Sequence, residues 1–119
     1  MAESLTLINA FEVPAEQAER FIAAWEKTRD YLETQPGYVD TALHQAVMPG
    51  AEFQFVNIAH WRTAEDFMTA IQSPGFQEPA AGLAGYRPHP ALYQVRADLT
   101  GGRRWAPPTG PGPHRPRPA

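Results

Sequence analysis

An α+β domain with the element order β-α-β-β-α-β is predicted by this 119-residue sequence. Three observations carry the prediction. The runs Leu7-Ile8-Asn9-Ala10-Phe11-Glu12-Val13-Pro14 and Phe53-Gln54-Phe55-Val56-Asn57-Ile58-Ala59-His60-Trp61 are dense in apolar and small residues and bounded by turn formers, as strands are. A long amphipathic segment follows the first run and stops at Gln35-Pro36-Gly37. A shorter one, headed by Thr63, follows the second.

The elements follow in order. Leu5 to Val13 is the first strand, closed by Pro14. Ala15 to Gln35 forms the first helix, its buried stripe being either Ala18, Ile22, Trp25 and Leu32 or Phe21, Trp25, Thr28 and Leu32. Pro36 cannot continue that helix and Gly37 ends it. Tyr38 to Val47 is the second strand, and Met48-Pro49-Gly50-Ala51 turns it into the third. Thr63 is placed to cap a helix over Ala64 to Gln72, with Asp66 at the favoured third position. Ser73 to Ala84 reads as helical but broken by Pro74, Gly75, Pro79 and Gly82, and Pro90 to Leu99 as the last strand. This is the ferredoxin-like split βαβ plan, an antiparallel sheet with helices on one face. The other face carries Ile8, Ala10, Val56 and Ile58 and needs a cover, which predicts a twofold homodimer packed sheet on sheet.

Residues 1–100 are expected to form the domain. Residues 101–119, GGRRWAPPTGPGPHRPRPA, are rich in Pro, Gly and Arg and lack apolar periodicity, so a flexible tail is expected there. A net charge of −3 argues against nucleic acid as a partner. No apolar run approaches the roughly 20 residues of a membrane span, and Met1-Ala2-Glu3-Ser4 lacks the features of a signal peptide, so a cytoplasmic protein is expected. With no cysteine in the chain, disulfides and thiolate chemistry are excluded. The histidines lack metal-site spacing, so no metal is expected. Glu16, Glu19, Glu26, Lys27, Arg29 and Asp30 read as a solvated helix face.

The alternation of a strand puts Phe53, Phe55, Asn57, Ala59 and Trp61 on one face, and Leu7, Asn9, Phe11 and Val13 on another. Two amides and an indole N–H among apolar neighbours form a binding-site pattern, since a buried amide needs a partner. Asn57 and Trp61 stand about 13 Å apart along an extended chain, far enough to line two ends of one cavity. A core tryptophan and a loop-tethering asparagine are the alternative reading of the same residues. His89, in Tyr86-Arg87-Pro88-His89-Pro90, is the first choice for a general base, with Tyr86 and Arg87 as substrate-contacting neighbours. His60 is expected on the strand face opposite Asn57, and periodicity does not orient His44.

The INAFEVP opening, the helix ending in Gln35-Pro36-Gly37-Tyr38, the Asn57-x-x-x-Trp61 strand, and Ala64-Glu65-Asp66-Phe67 leading to Ser73-Pro74-Gly75-Phe76 carry a resemblance from about Leu5 to Leu99. In these features the chain resembles the antibiotic biosynthesis monooxygenase family of small dimeric α+β barrel proteins. The resemblance implies a cofactor-independent monooxygenase that uses O2 to oxidise a small polycyclic aromatic or phenolic substrate of polyketide type to a quinone. Asn57 and Trp61 match the pair that holds the substrate oxygens in quinone-forming members, and Asn9, Phe11, Phe55 and Phe67 would complete the substrate site. Those members often place a tyrosine where Phe67 stands, so its hydroxyl is missing here. Haem binding or degradation is a second implication. Asn9 and Trp61 match residues of haem-degrading members, but Ala80 falls where their histidine iron ligand is expected. An aromatic cyclase or a non-catalytic small-molecule binding protein is the third.

Overall fold

In the computed structural model, which describes residues 5–97, the four strands and the connecting helices run in the predicted order. The strands are β1 (Leu5–Phe11), β2 (Tyr38–Gln45), β3 (Phe55–Trp61) and β4 (His89–Tyr93); the helices are α1 (Ala18–Leu32), α2 (Ala64–Gln72) and the short α3 (Gln77–Ala81). The strands form one antiparallel sheet in the order β2-β3-β1-β4. The expected tail, residues 101–119, lies outside the described residues, as do the last two residues expected in the fourth strand.

Element boundaries tighten relative to the sequence reading. Pro14 opens a single 3-10 turn, Ala15–Gln17, before α1 begins, and three successive hydrogen bonds at Glu33, Thr34 and Gln35 wind the chain out of α1 after Leu32. The strand reading to Val47 stops at Gln45, and β4 pairs only over His89–Tyr93, the span that has β1 residues opposite it. The Thr63 side chain accepts a hydrogen bond from the Asp66 backbone N–H at 2.9 Å, so α2 begins on the expected cap. The stretch from Ser73 onward is broken as its prolines and glycines dictate, into two 3-10 turns flanking α3.

Of the two stripes open for α1, the structure selects the one containing Phe21 and Thr28, both buried. Phe21 is fully buried at the centre of an aromatic cluster, with ring centroids 4.8 Å from Phe11, 4.9 Å from Phe55 and 5.1 Å from Tyr86. Edge-on and tilted pairs of this kind add about 0.5–1.5 kcal/mol each beyond area burial. A second buried cluster gathers Leu7, Ala59, Trp61, Phe67 and Ala70. Thr28 donates to the carbonyls of Ala24 and Pro79 at 3.1 and 3.2 Å, tying α1 to α3.

The helices cover one face of the sheet. Among the described residues the opposite face is uncovered and presents Ala42, Ile58, Ile8 and Ala91 as a row across all four strands. His60 lies on that face, as expected, and its Nδ1 meets the Asp40 carboxylate at 2.6 Å. His44, opposite Val56, is on that face too.

Candidate functional site

Between the helical layer and the inner sheet face lies a cavity of about 270 Å³, walled almost entirely by apolar side chains. That is near the small end of the range for ligand sites, roughly 300–1,000 Å³. Residues from both buried clusters line it, among them Leu7, Phe11, Ala59 and Leu83.

The sheet wall holds the polar groups. Asn9 on β1 and Asn57 on β3 are direct cross-strand partners, which sets their Cβ atoms about 4.5–5.5 Å apart on one face. Each carbonyl oxygen is already engaged. Asn9 Oδ1 accepts the His89 backbone N–H at 2.9 Å, and Asn57 Oδ1 accepts the Thr41 hydroxyl at 2.6 Å. The amide nitrogens of both residues are thereby left as N–H donors for the cavity they line. Trp61 is 1% exposed, and its Nε1 is buried with no hydrogen-bond partner among the described residues. An unmade buried donor costs about 1–3 kcal/mol, which a bound acceptor would cancel. Tyr38 and Phe67 hold the indole edge-on, each with a centroid 5.6 Å away. The wall is therefore built of donors, suited to an oxygen that gains negative charge.

The helix wall supplies Trp25, Arg29 and Leu32, spaced i, i+4 and i+7 on α1. Arg29, read from sequence as part of a solvated face, is instead at the cavity edge, its guanidinium 5.3 Å from the centre of the Trp25 ring. Its hydrogen bonds to the Asp30 carboxylate raise its pKa above the ordinary value, against a smaller opposing effect of burial. Tyr38 also lines the cavity, and burial, with Glu33 and Asp40, raises its phenol pKa. Sequence periodicity could not place Tyr38 beside Thr41, because residues three apart in a regular strand face opposite ways. A register shift between Tyr38 and Asp40 turns both inward. The spacing of Trp25, Arg29 and Leu32 was the available signal for Arg29.

Of the residues singled out from sequence, Asn9, Phe11, Asn57, Trp61 and Phe67 line the cavity. Phe55 and Tyr86 do not: both are buried against Phe21 in the neighbouring aromatic cluster. Arg87 is exposed, in a left-handed conformation (φ 54°) at the turn into β4. Phe53 leaves the face of Phe55 because β3 starts only at Phe55, and its ring instead meets His89, 5.0 Å between centroids. The His89 imidazole projects away from the cavity, with Nε2 3.3 Å from a Glu12 carboxylate oxygen. The reason is alternation. β4 begins at His89, which faces outward opposite Ala10, whereas Pro90 faces inward opposite Asn9. What His89 gives the site is its backbone N–H on Asn9.

Haem iron requires an axial donor. Ala80 lines the cavity with a methyl group, and no described side chain around the cavity is an imidazole, a thiolate or a thioether. The wall does not fit the histidine ligation that the resemblance implies for haem. Among the described residues no group of three or more histidines and carboxylates is placed to hold a metal ion, and no helix is long and apolar enough to cross a membrane.

Comparison with known proteins identifies the family. The chain is 32% identical over 83 residues to deoxynogalonate monooxygenase of Streptomyces nogalater, covering 69% of this chain and 67% of that protein. Its structure superimposes on SnoaB, a cofactor-independent oxygenase from Streptomyces nogalater, with a TM-score of 0.71 and 28% identity over 83% of this chain and 99% of that one. A candidate monooxygenase from Shewanella loihica PV-4 is 42% identical, with a TM-score of 0.69 over 81% of this chain and 97% of its own. Residues 4–81 match the family model described as antibiotic biosynthesis monooxygenase, and the chain belongs to that family.

Proposed function

We propose that this protein is a cofactor-independent monooxygenase that oxidises a polycyclic aromatic or phenolic substrate of polyketide type, such as an anthrone, to a quinone. The pairing of the Asn9 and Asn57 amides on the wall of one apolar cavity, with the Trp61 N–H buried in that wall without a partner among the described residues, carries the reading. The likeness to a cofactor-independent oxygenase supports it.

The substrate methylene loses a proton, and the resulting oxyanion is stabilised by N–H donors fixed before the reaction begins. The carbanion carbon adds O2 to give a hydroperoxide, which loses water to leave the new carbonyl. One oxygen atom enters the product and the other leaves as water, while the substrate supplies all four electrons. Among the described residues no base that titrates near neutral pH lines the cavity, so the donors act by acidifying the substrate, and the proton passes to water. Asn57 is held by Thr41 and Asn9 by the β4 backbone, so neither amide must reorganise as charge develops.

Two further parts belong to the same reading. A second copy covers the Ala42, Ile58, Ile8 and Ala91 row to give a twofold dimer, and the enzyme works in the cytoplasm.

Oxygen uptake with the anthrone dithranol, with quinone formation followed by absorbance, tests the proposal. Asn57→Ala should lower kcat by about 10²–10³-fold, with an unchanged circular dichroism spectrum. Equal oxidation by wild type and Asn57→Ala would refute the assignment. A cyclase would convert substrate without consuming O2, and a binding protein would return it unchanged.

A further inference from the structure

Apart from the donors already assigned, the described cavity wall contains the polar groups of Trp25, Thr28, Thr41, Arg29 and Tyr38. The threonine hydroxyls are committed, to the Ala24 and Pro79 carbonyls and to Asn57. Arg29 and Tyr38 are not. Asp30 takes Nε and Nη2 of Arg29 onto a single oxygen, at 3.1 and 2.8 Å. A guanidinium has five N–H donors, so three remain, including both on Nη1. The Tyr38 hydroxyl has no hydrogen-bond partner among the described residues, and a phenol is protonated at neutral pH, so it is a donor. Arg29 and Tyr38 line the same cavity, and Leu32, three residues on from Arg29, packs with Tyr38 against the buried cluster that holds Trp61.

Position gives these donors a role. Tyr38 is paired with Trp61, four residues and about 13 Å along β3 from Asn57. Arg29 is one-third exposed and rests against the Trp25 ring, which limits where its head can swing. The free Nη1–Nη2 edge is the fork that takes a carboxylate with two parallel hydrogen bonds. Glu26, Asp30 and Glu33 flank Arg29 from exposed positions on and just after α1, and Asp40 and Glu33 act on Tyr38. Their charge disfavours a dianion such as a phosphate ester and leaves room for a single negative charge.

We infer that Arg29 and Tyr38 form a second polar subsite that binds a carboxylate substituent on the aromatic substrate, at the end of the cavity away from the asparagine pair. The inference rests on the proposed function for the ring system but not for the binding itself, which allows the two to be tested apart. Rhein anthrone, a dihydroxyanthrone with a ring carboxylate, and its methyl ester are titrated into the protein without oxygen, with binding read by tryptophan fluorescence. Oxygen is then admitted and its uptake recorded.

Wild type should bind the acid at least about tenfold more tightly than the ester. Arg29→Gln should weaken the acid by about 10–100-fold and leave the ester within about twofold. Tyr38→Phe, which keeps the ring on Trp61, should weaken only the acid, by about threefold to tenfold. Asp30→Asn, which removes the competing carboxylate from outside the wall, should tighten only the acid. Equal binding of acid and ester by wild type, or Arg29→Gln weakening both alike, would overturn the inference. Discrimination without oxygen uptake would support the subsite and refute the oxygenase reading; oxygen uptake without discrimination would do the reverse.

Discussion

Trp61 concentrates the tension between stability and function in one side chain. Its ring is packed edge-on by Tyr38 and Phe67 in the second buried cluster, yet its N–H is buried without a partner among the described residues. A core residue chosen for stability alone would be phenylalanine at no such cost. Trp61→Phe should therefore leave the melting temperature unchanged or raise it, while lowering kcat for anthrone oxidation by about 10²-fold. Thermal denaturation and steady-state oxygen uptake on the same sample check both halves, and a variant that loses stability while keeping activity would reverse the assignment. Asn9 shows the complementary economy. Its carbonyl oxygen is anchored by the His89 backbone N–H, so the histidine singled out for proton transfer contributes through its main chain.

At the scale of elements, the connection from α1 into β2 decides which residues of β2 reach the cavity. Gly37 turns the chain at φ 89°, and its carbonyl accepts the Arg62 N–H at 2.8 Å, fixing β2 beside the end of β3. A Cβ at this position would collide with the Asp66 side chain at the start of α2. Gly37→Ala should destabilise the domain by about 2–3 kcal/mol, through both the left-handed backbone and the clash. Gly50 has a similar φ of 87° but open space around it, so Gly50→Ala should cost only about 1 kcal/mol. Urea denaturation of the two variants separates steric from backbone strain, and equal losses would show that the Asp66 contact is relieved freely. Just beyond Gly37, the irregular register at Tyr38–Asp40 brings Tyr38 onto the same face as Thr41. The strand then pairs regularly with β3 to Gln45, with Leu43 facing Asn57.

At the scale of the molecule, a four-stranded sheet with helices on one side leaves a whole face to be explained. Its central row is apolar, with Ile8 directly opposite Ile58 and alanines outside them. His60–Asp40 and His89–Glu12 contacts lie beyond that row. A dimer formed there would bury the row without touching the cavity on the other side. Ile58→Lys should convert the proposed dimer to monomer in sedimentation velocity, because one buried cation would be repeated by symmetry on both subunits. An unchanged sedimentation coefficient for the variant would move the interface elsewhere on the surface.

The sequence by itself determined what lies within one element. Period-two alternation put Asn57 and Trp61 on one face of β3 and Thr63 capped α2, because each depends on neighbours a few residues away, whereas α1 ended at Leu32, before the Pro36 and Gly37 expected to stop it. Element order and the family resemblance followed from the same local patterns. Tertiary structure alone decided the pairing of Asn9 with Asn57, which are 48 residues apart in the chain and meet only through the β1–β3 register. It also decided the choice of the Phe21 stripe on α1, the placement of Phe55 and Tyr86 in an aromatic cluster beside the cavity, and the inward turn of Tyr38. His89 turned outward because it pairs with Ala10 as the first residue of β4, and strand alternation sets it on the face opposite Pro90 and Asn9. Local periodicity states which residues share a face, whereas hydrogen-bond register and packing between distant segments state which face, and only the second kind of information assembles a cavity.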